Sequence, residues 1–223
     1  SICDHFFTTS TIANKNLAAQ QVAENRIHFV GNTMIDTLYQ NLDRIRKPLF
    51  WEDFNLADGN YFLLTLHRPS NVDDPKKLQA ILDAVMASTA NIPIVFPVHP
   101  RTRQILNNLK VDHERLRMID PQGYLEFIYL VKHAKGIITD SGGITEEATV
   151  LNIPCLTLRN STERPETVLM GTNELIGDDL PKLAQCLEKI IAGQWKKGAI
   201  PEFWDGKTSG RIVDILHSLY TKK

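Results

Sequence analysis

Residues 136–148 read GIITDSGGITEEA: a short apolar run, a polar turn with two glycines and the start of a helical pattern. The apolar run predicts a strand buried on both faces, and residues 144–151 continue as a helix. Further short apolar runs precede polar loops or turns elsewhere in the chain; they are residues 61–66, 92–98, 116–119 and 154–158. Strands of this kind alternating with helices predict a doubly wound parallel sheet of the α/β class.

Before this region, residues 5–8 and 26–30 predict two more strands, followed by helices over 11–24 and 33–45. Pro48, Asp58 and Gly59 interrupt the periodic segments and mark the best domain boundary. We therefore expect residues 1–47, 48–205 and 206–223 to be a leading segment, a main domain and a closing helix.

Composition excludes several classes of protein. The chain has 223 residues, with 25 Lys and Arg against 26 Asp and Glu, so it is neither a disordered acidic segment nor a basic nucleic-acid binder. Cys3, Cys155 and Cys186 are too few and too widely spaced for a disulfide framework, which favours a reducing, cytoplasmic location. No apolar run approaches the roughly 18–20 residues of a membrane span.

The loop at 140–143 is the strongest local candidate for a binding site. Gly142 and Gly143 let the backbone approach a ligand, the helix start offers N–H groups to a phosphate, and Ser141 adds a hydroxyl. Either Glu146 or Glu147 is suited to accept hydrogen bonds from a sugar diol. The alternative is a glycine-rich turn capped by Ser141, with both acids serving the helix dipole. The loop has neither the Walker A nor the GxGxxG pattern, so neither an ATPase nor an NAD enzyme is favoured.

Two histidines follow strands directly, at the edge where doubly wound sheets bind ligands. His67, followed by Arg68, suits a phosphate donor or a general acid or base, and the alternative is a loop histidine that caps a carbonyl. His99 has the same placement, but Pro100 beside it also suits a plain helix start. The other histidines show no metal-ligand spacing, so no metal is expected; they are His5, His28, His113, His133 and His217.

A third polar loop spans residues 159–166, RNSTERPE, and offers two arginines, Arg159 and Arg164, for bidentate contact with phosphate. A solvated capping loop is the alternative reading, with Glu163 near the cap. Tyr124 and Phe127 begin a nearby helix, where an aromatic pair is more often core than a shelf for a base. Because all these loops follow strands of one sheet, one anionic ligand bound by all of them is favoured over a separate structural role for each loop.

As a set, these motifs resemble the non-hydrolysing UDP-N-acetylglucosamine 2-epimerases, and the resemblance covers essentially the whole chain. The motifs are VGNTMID (30–36), LTLHR (64–68), PVHP (97–100), TDSGGITEEA (139–148) and TERPE (162–166). The resemblance implies a glycosyltransferase-B-like fold of two Rossmann-like lobes with the active site between them. It further implies that residues 1–47 end the first lobe and that the rest forms the second, UDP-binding lobe of a longer protein, commonly a homodimer.

The resemblance also assigns roles. The family reaction converts UDP-N-acetylglucosamine to UDP-N-acetylmannosamine by eliminating UDP and adding it back, without a cofactor. His67 would assist departure of UDP, and Arg68 and His99 lie in matching motifs. The assigned UDP contacts are Ser141, Gly142 and Gly143 at the diphosphate, Glu147 at the ribose, Tyr124 and Phe127 near the uracil, and Arg164 with Glu163 and Glu146 lining the cleft.

The chain departs from the family at two points. The acidic residues credited with the C2 proton belong to first-lobe motifs that this sequence lacks, so we expect the isolated chain to turn over poorly. Residues 69–71 read PSN where many members have REN. The alternatives are a UDP-sugar lobe of a hydrolysing epimerase or of a glycosyltransferase, which would release a different product, and a UDP-binding module without turnover.

Overall fold

A computed structural model describes residues 3–109 and 114–221. The strands are Phe6–Thr8 (β1), Ile27–Phe29 (β2), Phe62–Thr65 (β3), Ile94–Pro97 (β4), Leu116–Ile119 (β5), Gly136–Thr139 (β6), Cys155–Thr157 (β7) and Asn173–Leu175 (β8). The helices are Thr11–Ala19 (α1), Thr33–Asn41 (α2), Pro69–Val72 (α3), Pro75–Ser88 (α4), Pro100–Leu106 (α5), Tyr124–His133 (α6), Gly142–Val150 (α7), Pro165–Leu169 (α8), Leu180–Ile191 (α9) and Thr208–Tyr220 (α10). Turns of 3-10 helix lie at Glu24–Arg26, Leu42–Arg44 and Leu49–Trp51.

The main sheet has six parallel strands in the order β5-β4-β3-β6-β7-β8. Numbered within this sheet alone, that order is 3-2-1-4-5-6, the doubly wound Rossmann arrangement. The order reverses between β3 and β6, so a crevice forms where the loops after these two strands separate. The predicted α/β class and parallel sheet are confirmed.

Helices cover both faces of this sheet, as continuous apolar strands require. Within β3, Phe62 and Leu64 pack with buried residues of α4 and α9, whereas Leu63 packs with residues of α6 and α7 on the other face. Phe62, Leu63 and Leu64 are all fully buried, because successive side chains point to opposite faces and both faces are covered. The main sheet is therefore a rigid platform for the loops at its edges.

The leading segment has its own two-stranded parallel sheet, β1 with β2. Helix α2 packs against α7 and α10, and Trp204 joins Ile35 and Leu38 in a small buried cluster. Asp36 caps α10 by accepting from the backbone N–H groups of Thr208 and Ser209 at 3.0 and 2.6 Å. Burial acts to raise the pKa of Asp36, but the hydrogen bonds together lower it. These contacts fix α2 beside the start of the main domain's α7.

Several element boundaries differ from the predictions. The first helix ends at Ala19 rather than near residue 24, since Gln21 adopts a positive φ of 61°. The predicted loop after His67 contains the short helix α3, which begins at a proline. Strand β8 was not predicted, because Asn173 is polar and its place in the sheet depends on pairing with β7. None of the described helices is long and apolar enough to cross a membrane.

Candidate functional site

The centre of the site is Asp140, the first residue after β6. Its side chain is fully buried, and Oδ2 accepts from the backbone N–H of Arg68 at 2.9 Å and from the Asn71 amide at 3.2 Å. The backbone N–H of His67 lies 3.1 Å from Oδ1 and 3.2 Å from Oδ2. A buried carboxylate is tolerated when donors satisfy it, and these donors all come from the segment after β3. Asp140 thereby joins the two loops on either side of the crevice.

The His67 ring also contacts the Asp140 carboxylate. Its Nδ1 lies 2.8 Å from Asp140 Oδ1, while the ring as a whole is 58% exposed. Arg68 also binds this loop, through Nε donated to the Asp140 carbonyl at 3.0 Å. The structure therefore places His67 and Arg68 at the edge where the sequence predicted them, with one imidazole edge anchored and the other facing solvent.

Helix α7 begins at Gly142, two residues earlier than predicted. Ser141 occupies the N-cap position without capping the helix with its side chain, and its backbone N–H donates to Thr139 Oγ1 at 2.9 Å. A helix start leaves N–H groups without partners inside the helix, and these attract anions. A Cβ on Gly142 would stand 3.5 Å from Arg159 Nη1, and one on Gly143 would meet nothing within 4 Å. The first turn of α7 thus presents bare backbone toward open space.

Glu147, one turn into α7, is buried and faces α6. Its Oε1 accepts from the Tyr124 hydroxyl at 3.0 Å. Burial raises the pKa of Glu147 to about 7, with a further rise from the neighbouring Glu146, and the hydrogen bond from Tyr124 acts in the opposite direction. Burial together with the Glu147 charge raises the pKa of Tyr124. Because Tyr124 donates to one oxygen of the Glu147 carboxylate, the other oxygen is suited to accept hydrogen bonds from a ligand's hydroxyl groups.

Glu146 is equally buried but has different partners. It accepts from Asn32 Nδ2 at 2.8 Å and forms an ion pair with Arg164 through Nε. The Arg164 side chain remains 37% exposed, so its guanidinium reaches the surface from a buried anchor. Glu146 therefore links the leading segment to the loop before α8. This places Glu146 as a support for Arg164.

Arg159 and Glu163 form a bidentate ion pair beside the start of α7, with N–O distances of 2.9 and 2.6 Å. The Arg159 guanidinium holds the pKa of Glu163 at about 2. The Arg159 side chain is 11% exposed and that of Glu163 is 63% exposed. A positive group held this close to Gly142 adds to the attraction of the helix start for an anion.

The remaining candidates are more scattered. His99 and His67 line a cavity of about 280 Å³ between the loop after β3 and helix α5. Phe127 packs against two clusters of the core, which gives it a structural role. His5 lies just before β1 and His28 in β2, with His5 Nδ1 3.0 Å from His28 Nε2. No group of three or more metal-ligating side chains occurs among residues 3–109 and 114–221, and His113 lies outside those residues.

No sequence pattern pointed to a role for Asp140, Asn71 or Asn32. For Asp140 a positional signal was nevertheless available, since it stands at the carboxyl end of a strand inside the motif. Its partners, however, are 69 to 73 positions earlier, and only the pairing of β3 with β6 brings them together.

Residues 1–217 match the family model described as UDP-N-acetylglucosamine 2-epimerase. The chain belongs to this family. The family member of Methanocaldococcus jannaschii is 40% identical over 228 residues, which cover 96% of this chain and 61% of the relative. A UDP-2,3-diacetamido-2,3-dideoxy-D-glucuronate 2-epimerase of Pseudomonas aeruginosa is 37% identical over 222 residues, covering 98% and 61%.

Solved structures of epimerases agree in fold. The M. jannaschii enzyme in complex with UDP-GlcNAc and UDP has a TM-score of 0.82 to this chain at 40% identity, covering 97% of this chain and 62% of that one. The S. aureus MnaA–UDP structure has a TM-score of 0.86 at 29% identity, covering 99% and 60%. This chain thus spans about 60% of the length of these relatives.

Proposed function

We propose that the protein containing this chain interconverts UDP-N-acetylglucosamine and UDP-N-acetylmannosamine, and that this chain forms the UDP-binding side of the cleft. The observation that carries the proposal is the meeting of three groups at the carboxyl end of one sheet. They are His67 anchored on Asp140, the helix start at Ser141, and the buried pair of Glu147 and Tyr124. Their chemistry fits a leaving group, a diphosphate and a ribose in turn.

The diphosphate is assigned to the start of α7. The N–H groups of Gly142 and Gly143 and the Ser141 hydroxyl are the neutral donors, and Arg68 and Arg164 offer charged ones. The partial positive charge of the helix start adds to this binding without making the chain basic, which agrees with a formal net charge of −1. Binding is thus expected to be specific to a small anion.

The nucleoside is assigned to the neighbouring face of α6 and α7. The Glu147 carboxylate would accept from the ribose hydroxyls, because the Tyr124 hydroxyl donates only to Oε1 and leaves Oε2 available. Tyr124, which is 36% exposed, and Phe127 in the same helix would lie near the uracil.

The reaction is an elimination followed by re-addition. The C1–O bond breaks with its electron pair leaving on UDP, a base takes the C2 proton, and a C1–C2 double bond forms. Addition of UDP with a proton delivered to the other face of C2 inverts that centre, so no oxidant or reductant is needed. His67 assists the departing diphosphate, and acidic groups from the part of the protein beyond this chain handle the C2 proton.

The test is product analysis with the full-length protein. We expect UDP-N-acetylglucosamine to give UDP-N-acetylmannosamine, with deuterium from solvent at C2 observed by NMR. Free N-acetylmannosamine with UDP would indicate a hydrolysing epimerase, and a glycoside formed with an acceptor would indicate a glycosyltransferase. UDP affinity without any turnover would indicate a binding module. Each of these three outcomes would overturn the proposal, and we expect the 223-residue chain alone to bind UDP weakly with poor turnover.

The Pseudomonas relative supports a second candidate, a 2-epimerase acting on a UDP-linked diacetamido uronate. The UDP contacts would be the same, because both substrates carry the same nucleotide. A comparison of kcat/KM for the two UDP-sugars with the full-length protein separates the candidates.

The arrangement of the whole protein is also part of the proposal. Residues 1–47 would end a first lobe and connect it to a second lobe at 48–205, with the closing helix in 206–223. The proposed protein is a cytoplasmic homodimer. Analytical ultracentrifugation of the full-length protein tests the dimer.

A further inference from the structure

We infer that Asp140 is the positioning residue for His67 and fixes which ring nitrogen meets the substrate. The inference rests on the proposed function, in which His67 assists the departure of UDP. Asp140 itself is buried beneath the histidine and acts through it.

The Asp140 carboxylate is held in one orientation. Asp140 is fully buried, and Oδ2 receives hydrogen bonds from the Arg68 backbone and from the Asn71 side chain. The His67 backbone N–H points at both oxygens. Asn71 is itself held by a second hydrogen bond to the Leu158 carbonyl at 3.2 Å. A carboxylate held by several donors, one of which is itself anchored to the loop after β7, has little freedom to rotate.

This carboxylate orients the imidazole of His67. Because Nδ1 lies 2.8 Å from Asp140 Oδ1, the Nδ1–H donates to the carboxylate in both the neutral and the charged ring. The neutral ring is therefore fixed as the Nδ1–H tautomer, with Nε2 as the one nitrogen left to face the crevice. A hydrogen-bonded carboxylate orients histidines in this way in hydrolases and metal sites.

Nε2 is the nitrogen that exchanges a proton with the leaving group. In the charged ring, Nε2–H donates to the phosphate oxygen that leaves C1, and the proton can pass to that oxygen as the C1–O bond breaks. In the re-addition, Nε2 takes the proton back as the phosphate oxygen attacks C1. In both steps the hydrogen bond between Nδ1 and Asp140 Oδ1 keeps the ring in the orientation in which Nε2 meets that oxygen.

The first experiment uses the full-length protein carrying Asp140→Asn. The asparagine keeps the size of the side chain but can present its NH₂ group to Nδ1, which favours the wrong tautomer. We expect kcat to fall by roughly 100-fold or more with KM changed by less than about threefold. His67→Ala should give a loss of similar size. The double variant should lose little more than either single variant, because the two residues act as one unit.

A structural role for Asp140 predicts a different pattern. If Asp140→Asn lowered the rate as strongly in the His67→Ala background as in the wild type, the inference would be overturned. The same holds if KM rose in proportion to the loss of kcat/KM. Unchanged UDP affinity of Asp140→Asn, measured by calorimetry, is the expected control result.

A second measurement needs no variant and no turnover. Nitrogen-15 NMR of the histidine rings in the 223-residue chain reports which nitrogen of the neutral His67 ring carries the proton, with His67→Ala used for assignment. The Nδ1–H tautomer is expected, and the Nε2–H tautomer would overturn the inference even if Asp140→Asn fails to fold. If the full-length protein proves not to be an epimerase, the NMR result still decides the positioning role, so the two failures are distinguishable.

Discussion

The two sides of helix α7 hold carboxylates with opposite surroundings. Glu146 and Glu147 are adjacent in sequence and are 2% and 4% exposed. Glu146 is paired with the Arg164 guanidinium and accepts from the Asn32 amide, whereas the one hydrogen-bond donor to Glu147 among residues 3–109 and 114–221 is the hydroxyl of Tyr124. The burial of the Glu146 carboxylate is therefore compensated by its partners, whereas the burial of the Glu147 carboxylate is compensated only in part. The difference indicates that Glu146 is a structural anchor, whereas Glu147 can still accept hydrogen bonds from a ligand.

The largest effect that this comparison predicts is a pH dependence of stability. The pKa of Glu147 is raised from its ordinary 4.5 to about 7. Between these values the folded chain keeps a proton that the unfolded chain has released, so stability falls as the pH rises from 4.5 to 7 and then levels off. The full shift corresponds to about 3 kcal/mol.

Urea unfolding of the wild type and of Glu147→Gln at pH 5 and pH 8 measures this contribution. The glutamine variant has no proton to lose, so it should become more stable than the wild type as the pH rises. A difference between the two proteins that is the same at both pH values would show that Glu147 is not held in its neutral form by burial.

The next effect concerns UDP affinity. Glu147→Ala removes the acceptor proposed for the ribose, and we expect UDP to bind about 30-fold more weakly, which corresponds to about 2 kcal/mol. Glu146→Ala is the matched control, because it removes a neighbouring buried carboxylate. Calorimetry should show a smaller loss for the control, and equal losses or the reverse order would contradict the ribose assignment.

The sequence predicted much of this region, for identifiable reasons. The apolar runs of β3 and β6 are local signals, and polar loops after such runs mark the ligand edge of the sheet wherever the strands are placed. The order of the strands is not local, so the contact of His67 with Asp140 was missed. The identical letters at 146 and 147 likewise carry no information about which one faces Arg164. That distinction depends on packing between α6, α7 and the loop before α8.

A smaller effect on stability is expected for Glu146, whose charge is paired with that of Arg164. Glu146→Gln keeps the shape and one acceptor but removes the charge opposite Arg164. Because the arginine is partly exposed and can be hydrated, we expect the free energy of unfolding to fall by only about 1–2 kcal/mol. In the presence of Arg164→Met the same change should cost less, since the partner is gone. An equal cost in both backgrounds would show that the ion pair does not stabilise the fold.

The smallest effect is expected at the exposed ion pair of Glu163 with Arg159. The pKa of Glu163 at about 2 would suggest a strong interaction, but the side chain is 63% exposed and solvent screens it. Glu163→Gln retains an acceptor for the guanidinium, so we expect a loss of about 0.5 kcal/mol in urea unfolding, smaller still in high salt. Arg159 then faces the start of α7 without a competing negative charge, and UDP should bind slightly more tightly. A loss of stability as large as that of Glu146→Gln would contradict this prediction. It would show that the exposed ion pair of Glu163 stabilises the fold as much as the ion pair of the buried Glu146.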